Sequence, residues 1–206
     1  MKINSLLILG CVVASVWAWQ QDPAFAERNL VFSLSNLEKG RVWTLLVALF
    51  VHGNVLHLFG NMIYLWTFGD AVEDTFGHTK YLLFFVACGV AGSLIHTLVF
   101  PRSVIPSIGA SGSIAGILGA FLVLRPRARI VTLFPLVVYW AMAEIPAALF
   151  LPVWFLLQFF NGAASLAAAR ATEEVAGVAW WAHVGGFVFG AAVAAVYRIA
   201  SRRDGL

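Results

Sequence analysis

A serine at position 111 stands in the stretch Gly109-Ala110-Ser111-Gly112, and a histidine at position 183 stands in Ala182-His183-Val184-Gly185-Gly186. These are the residue types of an acyl-transfer pair, the hydroxyl as nucleophile and the imidazole as its base. Ser111 opens an apolar run, where a helix would begin. The free N–H groups and positive dipole end of a helix start favour a developing oxyanion. Flanking glycines let backbone and substrate approach closely. Against this, serine in an apolar helix is commonly a packing residue, and the small-x-Ser-x-small pattern alone is a weak match to serine hydrolases.

His183 has a second feature. It shares one helical face with Gly186 and Gly190, at spacings of three and seven. Gly186 and Gly190 form a small-xxx-small pair, which permits close helix contact, and Gly112, Gly116 and Gly119 offer the complement. Two such faces would bring Ser111 and His183 within hydrogen-bonding reach. A third polar stretch runs from His52 to Asn61. His57 and Asn61 lie four apart, so they share a face, and both can donate hydrogen bonds. They either tie helices together or serve as oxyanion donors.

The elements that must carry these groups are set by composition. Of 206 residues 61% are hydrophobic and 11% charged, against roughly 25% charged in an ordinary soluble domain. One water-soluble core of this size could not hide so much apolar surface, so the bilayer is the main solvent. The net charge of +3 comes from basic residues scattered between apolar runs, not from a phosphate-tracking stripe, which excludes nucleic acid as a partner. Cys11 and Cys88 both lie in apolar segments and read as buried thiols, not as a disulfide or zinc pattern.

A spanning helix needs about 20 mostly apolar residues. Six stretches qualify or nearly so: about 3–19, 54–69, 81–100, 109–124, 146–164 and 178–197. The first could pass for a secretory signal, but it lacks a convincing cleavage site and is read as a retained span. The run Trp43 to Val51 is too short to cross and is expected to lie along the membrane or in a folded loop. Pro135, Glu144, Pro146 and Pro152 break up the region 130–160, which could hold one crossing or two; one is adopted here.

With six spans both termini share a side. Lys2, Lys80, Arg125, Arg127, Arg129, Arg198, Arg202 and Arg203 fall there, and Arg28, Lys39, Arg41, Arg102 and Arg170 on the other. The cluster Arg125 to Arg129 marks the first side as cytoplasmic. Spans two, four and six then begin on the extracytoplasmic side, which puts His57, Asn61, Ser111 and His183 at one depth. Two crossings in 130–160 would place Ser111 and His183 on opposite faces.

At these residues the chain resembles the rhomboid family of intramembrane serine proteases. The likeness rests on His52, His57 and Asn61, on Gly109-Ala110-Ser111-Gly112, on Ala182-His183-Val184-Gly185-Gly186, and on Gly69, Glu73 and Gly77. It runs from about Trp43 to Tyr197. There are two departures. Thr44 follows Trp43 where the family carries an arginine, with Arg41 nearby. Ala115 stands where many members place an aromatic that packs on the catalytic histidine.

The resemblance implies an all-α membrane protein, a single six-helix bundle with both termini cytoplasmic. It implies hydrolysis of peptide bonds in or near the transmembrane segments of single-span or other membrane-protein substrates. Ser111 and His183 would act as a dyad, since no aspartate is placed to orient the histidine. His57, Asn61 and the backbone N–H of Ser111 would hold the oxyanion, and His52 and Asn54 would line water access or support the site. No cofactor or metal is expected. There is no His-Glu-x-x-His, and His52, His57, His96 and His183 lack ligand spacing. Asp70 is the only aspartate read as near a span, so a paired-aspartate site is excluded.

Two rival classes differ from this one in what their sequences would carry. A silent relative that escorts membrane helices would keep the fold but lose the serine or histidine, and both are present. A transporter would show internal symmetry and matched broken helices, and neither is seen. A prokaryotic plasma membrane, with the site opening to the extracytoplasmic side, fits the lack of a long targeting segment. Substrate and oligomeric state are not encoded in any recognisable motif.

Overall fold

The apolar run after Lys2 folds as helix α1, Ile3–Ala18, in a computed structural model that describes residues 2–101, 106–135, 140–172 and 178–203. Three short helices follow: α2 (Pro23–Asn29), α3 (Leu34–Glu38) and α4 (Thr44–Val47). Asp22 caps α2 with Pro23 in its first turn, and Ser33 caps α3, the usual signals of a helix start. The run Trp43 to Val51 is therefore a folded loop with one helical turn. Just before it Arg41 donates to Asn36 Oδ1 through Nη1 at 2.9 Å.

The long helices come next. They are α5 (Val55–Phe76), α6 (His78–Val99) and α7 (Ser111–Leu124), then α8 (Ala147–Thr172) and α9 (Trp180–Arg203). Each expected span thus has a helix at its position, with boundaries shifted by as many as eight residues. α6, α8 and α9 are long and apolar enough to cross a membrane, while α1 and α7 are shorter apolar helices. The chain is a multi-pass membrane protein built as a largely hydrophobic helical bundle.

One element departs from all-α. Strands β1 (Arg129–Pro135) and β2 (Trp140–Pro146) pair antiparallel, with Ile130 opposite Ile145 and Thr132 opposite Ala143. The run Ile130-Val131-Thr132 is β-branched and suits a strand, and prolines close both strands. The single crossing expected in 130–160 is thus a hairpin followed by α8. α5 also extends past the expected 69, so Asp74 joins Asp70 on it, a correction to the reading of one aspartate near a span.

α7 sits at the centre. Every residue from Gly112 to Phe121 is buried, and its most extensive partner is α9. The outer helices instead leave large apolar residues uncovered, among them Trp66, Leu83 and Leu98, as a lipid-facing surface requires. Lys2 pairs with Asp70 and Asp74 at 3.1 and 3.0 Å, and the Tyr197 hydroxyl donates to the Thr75 carbonyl at 2.9 Å. The N-terminal end of α1 and the C-terminal turns of α9 therefore meet the same end of α5. Of the charges used to set topology, Arg102 lies outside the described residues, as do the side chains of Arg170 and Arg203.

Candidate active site

Helix α7 begins at Ser111 without a side-chain cap. α2, α3 and α5 are capped by Asp22, Ser33 and Asn54, whose oxygens accept from first-turn N–H groups. An uncapped start leaves backbone donors free for a ligand or a developing charge. With 14 residues and a rise of about 1.5 Å per residue, α7 is roughly 21 Å long, well short of a hydrocarbon core of about 30 Å. The backbone leading into it must be satisfied within the protein. Gly109 N–H donates to the Ala48 carbonyl at 2.8 Å, and Ala110 N–H to His52 Nε2 at 3.3 Å.

That bond fixes the role of His52. Its Nε2 accepts, so Nδ1 carries the proton and donates to Ser15 Oγ at 3.0 Å, while Ser15 donates to the Phe50 carbonyl at 3.3 Å. Trp19 Nε1 donates to the His52 carbonyl at 2.7 Å. His52 is fully buried and does not line the cavity at Ser111. Expected either to line water access or to support the site, it stands behind the site and ties α1 to the α7 start. Asn54, exposed, caps α5 by accepting from His57 N–H at 2.9 Å.

Ser111, His183, His57 and Asn61 all line one cavity of about 220 Å³, with Gly60, Tyr64, Ile114, Trp154 and Gln158. Its walls come from α5, α7, α8 and α9. The Ser111 and His183 side chains face this shared space without a hydrogen bond between them among the described residues. Such bonds are often loose before substrate binds. Asn61 is buried, and its Nδ2 has no hydrogen-bond partner among the described residues. A buried amide donor without an acceptor is costly, and this one belongs to the cavity wall. His57 packs edge-on to His52, ring centroids 5.1 Å apart. Gly109 has φ +102°, and a Cβ there would lie 2.8 Å from the His57 ring. Only glycine fits that turn.

The glycine faces meet as helices α7 and α9. A Cβ on Gly186 would run into the Gly112 carbonyl oxygen, and one on Gly190 into that of Gly116. Gly112 itself is different: the nearest atom to a Cβ there is the Ala182 carbonyl oxygen at 3.6 Å, an ordinary contact.

Sequence reasoning missed Gln158 and Trp154. Gln158 is a buried amide in an apolar helix, and the cost of such a group was signal enough to flag it. His183 Nδ1 bonds Gln158 Oε1 at 2.9 Å, and the Trp154 and Trp180 rings stand 6.2 and 6.0 Å from the imidazole. His96, considered as a metal ligand with the other histidines, lines a separate small pocket with Phe32 and Ser107. No cluster of three or more metal-ligating side chains occurs among the described residues.

The chain is similar to known proteins. A family model described as the rhomboid domain matches residues 39–200. The chain is 43% identical over 88 residues to rhomboid protease GluP of Bacillus subtilis, covering 43% of this chain and 17% of that protein. It is 30% identical over 210 residues to the mitochondrial RHOMBOID-like protein 12 of Arabidopsis thaliana, covering 92% and 56%. It is 30% identical over 176 residues to the mitochondrial presenilin-associated rhomboid-like protein A of Danio rerio, covering 81% and 45%. The chain therefore spans less than two thirds of the length of these curated relatives.

Proposed function

This chain belongs to the rhomboid family, and on that premise we propose that it is an intramembrane serine endopeptidase acting through Ser111 and His183. The observation that carries the reading is the shared cavity, in which a serine at an uncapped helix start faces a histidine and an unpartnered amide donor. Family membership supplies the class of substrate, a membrane-embedded helix of another protein.

In the proposed reaction Ser111 Oγ bonds to the scissile carbonyl carbon as His183 Nε2 takes its proton. The carbonyl oxygen becomes an oxyanion, held by Asn61 Nδ2, His57 and the Ser111 backbone N–H. One such donor is worth roughly 2.7–4 kcal/mol to the transition state. The C–N bond then breaks as His183 returns the proton to the leaving amine. Water attacks the acyl-enzyme, again deprotonated by His183, and frees the acid product and Ser111. The chemistry requires no metal or cofactor. We place the protein in a prokaryotic plasma membrane as a six-span bundle, both termini cytoplasmic and the cavity opening toward the extracytoplasmic side. The basic residues Arg125, Arg127 and Arg129 at the other end of α7 support that orientation.

The test is cleavage of a single-span substrate in proteoliposomes by this protein and by its Ser111→Ala form. Cleavage by the first alone supports the reading. Equal cleavage by both sinks the assignment of the nucleophile. Helix binding without cleavage by either moves the chain to the escort class.

A further inference from the structure

Acyl-transfer histidines are normally held by a third group, and the cavity around His183 has no carboxylate among its described lining residues. Nor is there an aromatic on α7 to pack against it, because position 115 is alanine. A side chain on α8 occupies that role. Gln158 is 8% exposed and His183 9%. The Gln158 amide nitrogen donates to the Trp154 carbonyl of its own helix at 3.3 Å. That bond assigns the amide: nitrogen toward the backbone, Oε1 toward the imidazole. Oε1 can only accept, so the 2.9 Å contact requires a proton on His183 Nδ1. Nε2 is then the unprotonated nitrogen, the form a base needs.

We infer that Gln158 is a positioning residue for the proposed reaction, holding His183 in its Nδ1–H tautomer and fixing its ring, with the Trp154 and Trp180 rings nearby. The inference rests on the protease reading but can be tested apart from it. A neutral amide accepts the Nδ1–H without adding charge to the cavity, and as the imidazolium forms the same bond becomes charge-assisted. The bond therefore strengthens in the transition state, and its loss appears in kcat.

The experiment compares wild type, Gln158→Leu and Gln158→Glu in proteoliposomes with a single-span substrate, alongside ¹⁵N spectra of ring-labelled histidine. Q158L is expected to lower kcat about 10- to 100-fold with KM within about twofold, as for a lost bond to a charged group. Its His183 signal should change from one tautomer to a mixture. Q158E keeps an acceptor oxygen and is expected to retain kcat within about fivefold of wild type. If Q158L fails to fold, Gln158→Met, nearly isosteric but without the acceptor, takes its place. Wild-type kcat in a folded Q158L or Q158M, or an unchanged tautomer, overturns the role of Gln158 while leaving the protease reading intact. If wild type cleaves nothing, the protease reading falls, and the spectra still decide whether Gln158 sets the tautomer.

Discussion

Two helix starts in this bundle meet opposite fates. The first turn of α1 is filled: Glu73 of α5, 1% exposed, accepts from the backbone N–H groups of Ile3 and Asn4 at 2.8 Å each and also pairs with His78. Around it Asn4 donates to the Leu65 carbonyl and to Asp70 at 3.0 and 2.8 Å and accepts from the Tyr81 hydroxyl at 2.8 Å. Among the described residues the first turn of α7 has no such cap, and the buried Asn61 Nδ2 has no partner. Both clusters hang on α5, at Glu73 and at Asn61, 12 residues and so about 18 Å apart along the helix. A saturated polar cluster fixes geometry; an unsaturated one keeps binding capacity for something that arrives later.

The sharpest way to break that contrast is to remove a proposed reacting group. His183→Ala is expected to lower kcat by about 10⁴-fold or more, as losing the base of an acyl-transfer pair does. Its unfolding free energy should fall by about 2–4 kcal/mol, since a buried ring and its bond to Gln158 are lost. Steady-state cleavage and reversible unfolding in mixed micelles read the two quantities. Asn61→Ala comes next, with kcat expected down about 10²–10³-fold. Here stability should hold, because Asn61 Nδ2 has no protein bond to lose. A stability loss matching the activity loss would show that Asn61 is a structural tie after all.

The closed cluster predicts the reverse pattern. Glu73→Ala leaves two backbone N–H groups buried without acceptors, and about 3 kcal/mol of unfolding free energy should go. Turnover per folded molecule is expected within about threefold of wild type, because the cavity lies at the other end of α5. Loss of turnover with normal folding would mean that the two ends of the helix are coupled.

What the sequence could and could not reveal follows the same division. Ser111, His183, His57 and Asn61, which line one cavity, stand out in the sequence because a polar group in an apolar run is costly and therefore conspicuous. The helices α1 and α5 to α9 fall where apolar length alone puts them. The hairpin at 129–146 was not legible, because Ile130 to Phe134 reads equally as apolar helix or strand, and only pairing with 140–146 decides it. α5 was cut short because a composition rule stops at Asp70, whereas Lys2, Asn4 and the α1 N-terminus supply partners that let the helix run to Phe76. Gln158 carried the same signal, a costly polar group in an apolar run, but its partner 25 residues away on another helix is visible only in the fold. For His52 the sequence leaves water access and site support both open; its burial and its bonds to Ser15 and Ala110 set it behind the cavity.

The smallest expected effects concern the glycines that let α7 and α9 meet, and they separate packing from chemistry. A methyl at Gly186 would collide with the Gly112 carbonyl oxygen, and backbone cannot swing aside as a flexible side chain can. Gly186→Ala should therefore cost about 1–3 kcal/mol of stability by forcing the helices apart, and with them Ser111 from His183. Gly112→Ala faces only ordinary contacts, the nearest at 3.6 Å. Alanine favours a helix over glycine by about 1 kcal/mol, so this variant should be unchanged or slightly more stable. Any fall in its turnover would then report on how closely substrate approaches the first turn of α7. Were Gly112→Ala as destabilising as Gly186→Ala, the contact between the helices would be tighter on the α7 side than this geometry allows, and the two glycines would have to be reassigned to a single steric role.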